Sequence, residues 1–138
     1  MADGDEDETL LASLQRSQGE LNDRLGVVLV EASRERVVAT MPVAGNRQPY
    51  GLLHGGASIA LAESLGSTIA ALNAPEGRLA VGIDMNATHH RSAVDGVVTG
   101  TTTVISAGRT LVSSETVVTD EQGRRLCTAR LTCLLREA

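Results

Sequence analysis

Between His54 and Asn73 the chain reads HGGASIALAESLGSTIAALN, a run whose single charge is Glu63. The run closes at Asn73 with Pro75 close behind, a normal helix stop. A helix that is apolar or small on nearly every face must be buried on nearly every side. That requirement sets the fold class, because something has to wrap the rod. The wrapping material is β-rich. Gly26–Val30 and Arg36–Met41 read as strands joined by the polar turn Glu31–Glu35, and Pro42–Pro49 reads as a loop. After the helix come Leu79–His89, Gly96–Ile105, Thr110–Asp120 and Arg124–Leu135, separated by the turns Ser92–Asp95, Ser106–Arg109 and Asp120–Gly123. Short turns predict antiparallel hairpin neighbours. The expected class is α+β, a curved antiparallel sheet of about six strands around one long buried helix. Leu10, Leu11 and Leu14 add a short amphipathic helix over Thr9–Gln18.

Charge has to be located before it is used. The formal net charge is -5, and Asp3, Asp5, Glu6, Asp7 and Glu8 precede the first apolar periodicity. The remaining acids balance the arginines, so residues 1–8 read as a mobile acidic tail and residues 9–138 as a single, nearly neutral domain. No basic stripe exists and Tyr50 is the sole aromatic residue, which argues against a nucleic-acid partner. The chain reads as having no stretch of about twenty apolar residues, so no membrane span is expected, and the acidic start is unlike a secretory signal. Cys127 and Cys133 read as reduced packing residues, as in a cytoplasmic protein.

An ionised carboxylate in an apolar helix costs several kcal/mol unless it is paired or hydrogen-bonded. The chain has no lysine, and no arginine lies within a turn of Glu63. Glu63 therefore faces a polar cleft or is neutralised by a raised pKa, and both are habits of working carboxylates. At the helix start, Gly55 and Gly56 present backbone N–H groups that have no partner inside the helix. The dipole behind them is positive, so a developing oxyanion fits there. Eight residues of helix put Gly55 and Glu63 about 12 Å apart on different faces. One carbonyl cannot meet both within a single helix. A homodimer with interfacial sites is the economical solution.

These blocks together resemble the hotdog-fold thioesterase superfamily, from about Gly26 to the C-terminus. The resemblance rests on NRQPYGLLHGG from Asn46 to Gly56, on Glu63 with Ser67, on GIDMNATHHRS from Gly82 to Ser92, and on Ser106–Arg109. Glu63 on the helix with Gln48 before it is similar to the branch of the Arthrobacter-type 4-hydroxybenzoyl-CoA and the 1,4-dihydroxy-2-naphthoyl-CoA thioesterases. Relatives of the phenylacetate pathway place aspartate on the helix. Gly55, Gly56 and Ala57 leave no aspartate near the helix start, as the Pseudomonas-type enzyme would need. The resemblance implies hydrolysis of a small-molecule acyl-CoA, with an aromatic acyl group favoured. Coenzyme A is then part of the substrate, and no separate cofactor or metal is implied. Glu63 would be nucleophile or general base, and the Gly55 N–H of a second subunit would polarise the carbonyl. Gln48 and His54 would shape that pocket, with Ser67 placing water or product. Gly82, the segment His89, His90, Arg91 and Ser92, and the segment Ser106, Ala107, Gly108, Arg109, Thr110 and Leu111 would contact coenzyme A. Arg91 and Arg109 suit its phosphates, because guanidinium forks onto phosphate oxygens. Relatives in this branch form tetramers from two dimers, and the resemblance implies the same here.

Other chemistries fit less well. His54, His89 and His90 lack metal-ligand spacing, and no Gly-x-Ser-x-Gly elbow marks a serine hydrolase. A hotdog-fold hydroxyacyl thioester dehydratase would use its histidine as a proton-transfer base. A non-catalytic acyl-CoA sensor would gain by losing Glu63.

Overall fold

The computed structural model describes residues 2–138, with side chains from Thr9 onward; the mobile acidic tail expected over residues 1–8 lies outside these fully described residues. The elements are α1 (Ala2–Arg16), α2 (Glu20–Leu25), β1 (Val28–Ala32), β2 (Arg36–Pro42), α3 (Gly55–Asn73), β3 (Arg78–His89), β4 (Val97–Ala107), β5 (Leu111–Thr119) and β6 (Arg125–Glu137). The strands make one antiparallel sheet in the order β1-β2-β4-β5-β6-β3, and α3 packs against β2 through β6. The expected α+β architecture is present.

Period-2 burial builds the sheet. β5 alternates strictly, with Val112, Ser114, Thr116 and Val118 buried and their neighbours part-exposed. Its inward face meets Leu61, Leu65 and Ile69 of α3, all essentially without solvent contact. Each such side chain contributes roughly 1.5–3 kcal/mol on leaving water. Two buried hydroxyls of this face, Thr102 and Thr116, bond each other at 2.6 Å, so neither is left unsatisfied. Glycine sets the helix-to-sheet distance. A Cβ on Gly66 would sit 2.7 Å from Leu131 Cδ2 and 2.9 Å from Ser114 Oγ, and one on Gly100 would sit 2.9 Å from Leu65 Cδ1.

Four expectations are corrected. β3 is not the hairpin neighbour of β4; it lies at the far edge, paired with β6 from Arg78↔Glu137 to His89↔Cys127. The connector 90–96 crosses the ends of the two intervening strands. Three strand spacings are about 14 Å, while seven extended residues reach about 23 Å, so the short link permits the crossing. Second, α3 is buried on one broad face only. Glu63 and Ala71 are exposed, and Ile59, Ala60, Ser64, Ser67 and Thr68 are half-buried. Third, α3 is long and apolar enough to cross a membrane by length and composition, which the sequence reading had denied; its packing on the sheet makes it the core helix. Fourth, the N-terminal helix starts earlier and ends at Arg16, and a further short helix, α2, precedes β1. Gly26 closes α2 in the left-handed conformation at φ 77°, a position that favours glycine. β1 consequently starts at Val28.

Filling the closest helix-to-sheet contact should be costly. Gly66→Val is expected to lower stability by about 2 kcal/mol through overpacking against Leu131 and Ser114. A urea midpoint equal to wild type would show that the sheet can recede.

Candidate active site

Glu63 is the one charged residue of α3, and its carboxylate overhangs the edge strand. Glu63 Oε1 lies 3.2 Å from where a Cβ on Gly82 would sit. Gly82 pairs with Cys133 at the bulge of β3. One turn beyond Glu63, Ser67 hydrogen-bonds Cys133. Burial pushes the Cys133 thiol up; the Ser67 bond opposes this and the Glu63 charge adds to it. A thiol held protonated is a poor nucleophile, so Cys133 packs rather than reacts. Cys127 is buried too, and both cysteines are free. Six residues along one strand separate them by about 20 Å, too far for a disulfide. Glu63, Ser67 and Gly82 thus form one group.

A second group surrounds the start of α3. His54 is the N-cap residue, extended at φ -65° and ψ 129°, and its side chain accepts from Gly56. The Gly56 N–H donates to His54 Nδ1 at 2.8 Å, so a neutral His54 carries its proton on Nε2. The Ala57 and Ser58 N–H groups reach the His54 carbonyl at 3.0 and 3.4 Å. Among the described residues, the Gly55 N–H alone in this first turn has no acceptor. The cap therefore distinguishes Gly55 from Gly56, which spacing could not do. The His89 ring closes the other side, its Nε2 3.0 Å from a hypothetical Gly55 Cβ. His89, expected at coenzyme A, also packs on the glycine.

The loop before α3 is tied by hydrogen bonds. Gln48 Oε1 accepts the Tyr50 N–H, the Gln48 N–H reaches the Leu52 carbonyl at 2.7 Å, and the Gly51 N–H reaches the Gln48 carbonyl at 3.0 Å. This turn leaves the Gln48 amide nitrogen as a donor and projects Tyr50, 87% exposed. Asn46 ties the loop down, donating to the Leu25 carbonyl at 2.7 Å and the Pro42 carbonyl at 2.8 Å. Sequence reasoning quoted Asn46 in the motif without giving it this role; an asparagine beside a turn glycine was the available signal.

The remaining candidates are spread out. The His90 and Arg91 N–H groups bond the Leu126 carbonyl at 2.7 and 3.3 Å, and His90 Nε2 meets Thr128 Oγ1 at 2.9 Å. Ser92 follows, exposed. The turn Ser106, Ala107, Gly108, Arg109, Thr110 and Leu111 lies at the opposite end of β6, where Leu111 pairs with Leu134. From Cys127, opposite His89, to Leu134 is about 23 Å along the strand. One chain brings together neither these two segments nor Glu63 and Gly55. Arg91 and Arg109 are exposed and belong to none of the ion pairs among the described residues.

Beside α3, on the β1 side, a cavity of about 360 Å³ reaches from Ser64 and Ser67 to Gln18 and Asn22. Among the described residues, no charged side chain lines it.

Comparison with known proteins identifies the family and the fold. The sequence profile described as the thioesterase superfamily matches residues 50–127. The proofreading thioesterase EntH of Klebsiella pneumoniae is 46% identical over 124 residues, covering 89% of this chain and 90% of its own. EntH of Cronobacter sakazakii is 44% identical over the same shares. A crystal structure of a Haemophilus influenzae thioesterase superposes with a TM-score of 0.87 at 35% identity, over 92% of this chain and 90% of that one. A mutant thioesterase of Pseudomonas aeruginosa gives 0.88 at 37%, over 93% and 94%. The chain belongs to the thioesterase superfamily and is a thioesterase of hotdog fold.

Proposed function

We propose that the chain hydrolyses acyl-CoA thioesters, with aromatic acyl groups favoured, at sites shared between two copies. One observation carries this reading: the only carboxylate of α3 stands on the stripe of the helix that one chain leaves uncovered. The thioester carbonyl oxygen accepts the Gly55 N–H of one copy, aided by the Gln48 amide and shaped by His54. Glu63 of the other copy attacks the carbonyl carbon, giving an anhydride that water opens, or takes a proton from the attacking water. Both routes form a tetrahedral oxyanion at the helix start, where preorganised donors act most strongly. Coenzyme A leaves as the thiol, and Ser67 holds the water or the product acid.

β3 supplies the support for pairing. It is an edge strand of twelve residues carrying Leu79, Val81 and Ile83, which are 52%, 40% and 57% exposed. Long apolar edges are normally covered. Two copies paired antiparallel through β3 set the Arg78 end of one against the His89 end of the other. His89, His90, Arg91 and Ser92 of one copy and the Ser106–Leu111 turn of its mate then converge on one coenzyme A, with Gly82 leaving room for it. Family likeness extends this dimer to a tetramer of two dimers. The relatives named proofreading thioesterases support thioester hydrolysis over the dehydratase and sensor readings.

Glu63→Ala is expected to slow release of free thiol from benzoyl-CoA on the order of a thousandfold with folding retained; near-normal turnover would reject the assignment. Gly82→Val crowds the same carboxylate and should cost on the order of a hundredfold, read against an unchanged thermal midpoint. Val81→Lys combined with Ile83→Lys should shift the sedimentation profile to monomer and abolish turnover. An active monomer would overturn the shared site.

A further inference from the structure

The crossover connector 90–96 and the loop before α3 are joined along one line. The Val43 N–H donates to the Gly96 carbonyl at 2.9 Å, and the Leu53 N–H to the Ala93 carbonyl at 2.8 Å. Between these two bonds stands Arg47. Its Nε and Nη2 both donate to the Val94 carbonyl, at 3.3 and 3.1 Å, and Nη2 also reaches Asp95 Oδ1 at 3.1 Å. The Arg47 backbone bridges to Leu53, and the next residue in the chain is Gln48. Ala93 is buried, but Val94 is exposed, so packing does not fix the Val94 position. Among the described residues, the Arg47 guanidinium alone takes the Val94 carbonyl. The ion pair is the lesser part of this contact, since the Asp95 side chain is 84% exposed and exposed pairs contribute little.

We propose that Arg47 is a positioning residue that holds the segment bearing Arg91 at a set distance from the loop bearing Gln48. One coenzyme A thioester is then gripped at both ends by a single copy. The inference rests on the thioesterase reading, in which Arg91 meets a phosphate while Gln48 and Gly55 meet the carbonyl. The start of the connector is anchored independently, because the His90 and Arg91 N–H groups bond the Leu126 carbonyl. Phosphate binding places a carbonyl correctly only when the two grips keep their separation. Removing the guanidinium leaves two backbone bonds, Leu53 to Ala93 and Val43 to Gly96, to carry the join. A thioester without the nucleotide uses the carbonyl grip alone and is indifferent to that join. This difference separates positioning from a general loss of structure.

The test compares kcat/KM for benzoyl-CoA with that for benzoyl-N-acetylcysteamine, which ends before the phosphates. In Arg47→Met, which keeps the aliphatic stem, the ratio of the two should fall about tenfold. The truncated thioester should still turn over at the wild-type rate. Arg47→Lys replaces the planar fork by a point donor and serves as a second variant, lowering the ratio about threefold. In an Arg91→Ala background the Arg47→Met loss should largely vanish, because the phosphate grip is already gone. Equal loss on both thioesters overturns the inference, as does a wild-type ratio in either variant or full additivity with Arg91→Ala. Calorimetry with the S-phenacyl ketone of coenzyme A, which cannot be hydrolysed, separates the two readings. Ketone binding weakened about tenfold in Arg47→Met, without hydrolysis of any thioester by wild type, removes the catalytic reading and leaves the positioning assignment standing. Hydrolysis that Arg47→Met slows equally on both thioesters removes the positioning assignment alone.

Discussion

The contact between α3 and the concave face of the sheet carries the rest of the molecule. Leu61, Leu65 and Ile69 fill the space above β2, β4 and β5, and Gly66 and Gly100 remove the side chains that would hold the helix away. That seating fixes the rotation of the helix about its own axis. With the leucine face down, Glu63 and Ala71 can only point outward, and Ser64, Ser67 and Thr68 fall along one flank. The orientation of the carboxylate is thus decided by apolar packing some residues away from it. No ion pair is needed to hold it, and the absence of lysine from the chain is consistent with that.

Much of this was legible from the residues, because both periodicities are strong. Alternation along β5 and the charge-poor run of α3 each have a single simple reading, and the strands fell within a few positions of their observed ends. The misreadings share a cause. A turn such as Ser92–Asp95 looks the same whether the chain folds back on its neighbour or crosses the sheet ends; what separates the cases is which strand offers β3 the better partner. β6 offers a register running from Arg78 to His89, a non-local fact that no local pattern contains. The outward stripe of α3 was misjudged for a related reason. Alanine, serine and glycine are equally at home against a sheet or against another protein, so composition announced burial without naming the burier.

Local capping decided what spacing left open at the helix start. His54 consumes the Gly56 N–H through its ring and the next two N–H groups through its carbonyl, leaving Gly55 as the donor with nothing to bond. The same histidine that ends the loop therefore selects the group proposed to polarise the carbonyl. His89 then packs so closely on Gly55 that a side chain there would require the ring to give by a few tenths of an ångström. The glycine is favoured by a neighbour as well as by the ligand it is inferred to hold, which is why its presence in the sequence could be noticed but not interpreted.

The proposed division of the machinery between chains follows from lengths that packing cannot shorten. A helix rises about 1.5 Å per residue and a strand about 3.3 Å. Glu63 and Gly55 are therefore held about 12 Å apart by the same rigid rod, and the two arginine-bearing segments about 23 Å apart by β6. Flexing a side chain covers only part of either gap. In the proposed dimer a symmetry-related copy closes both at once, because two-fold pairing of an antiparallel edge reverses the direction of the strand. The exposed apolar residues of β3 lie on the edge where such a copy would sit. Covering the edge and completing the site are then a single requirement, and a chain that met only one of them would have less reason to keep Gly82 beneath Glu63 in the middle of that strand.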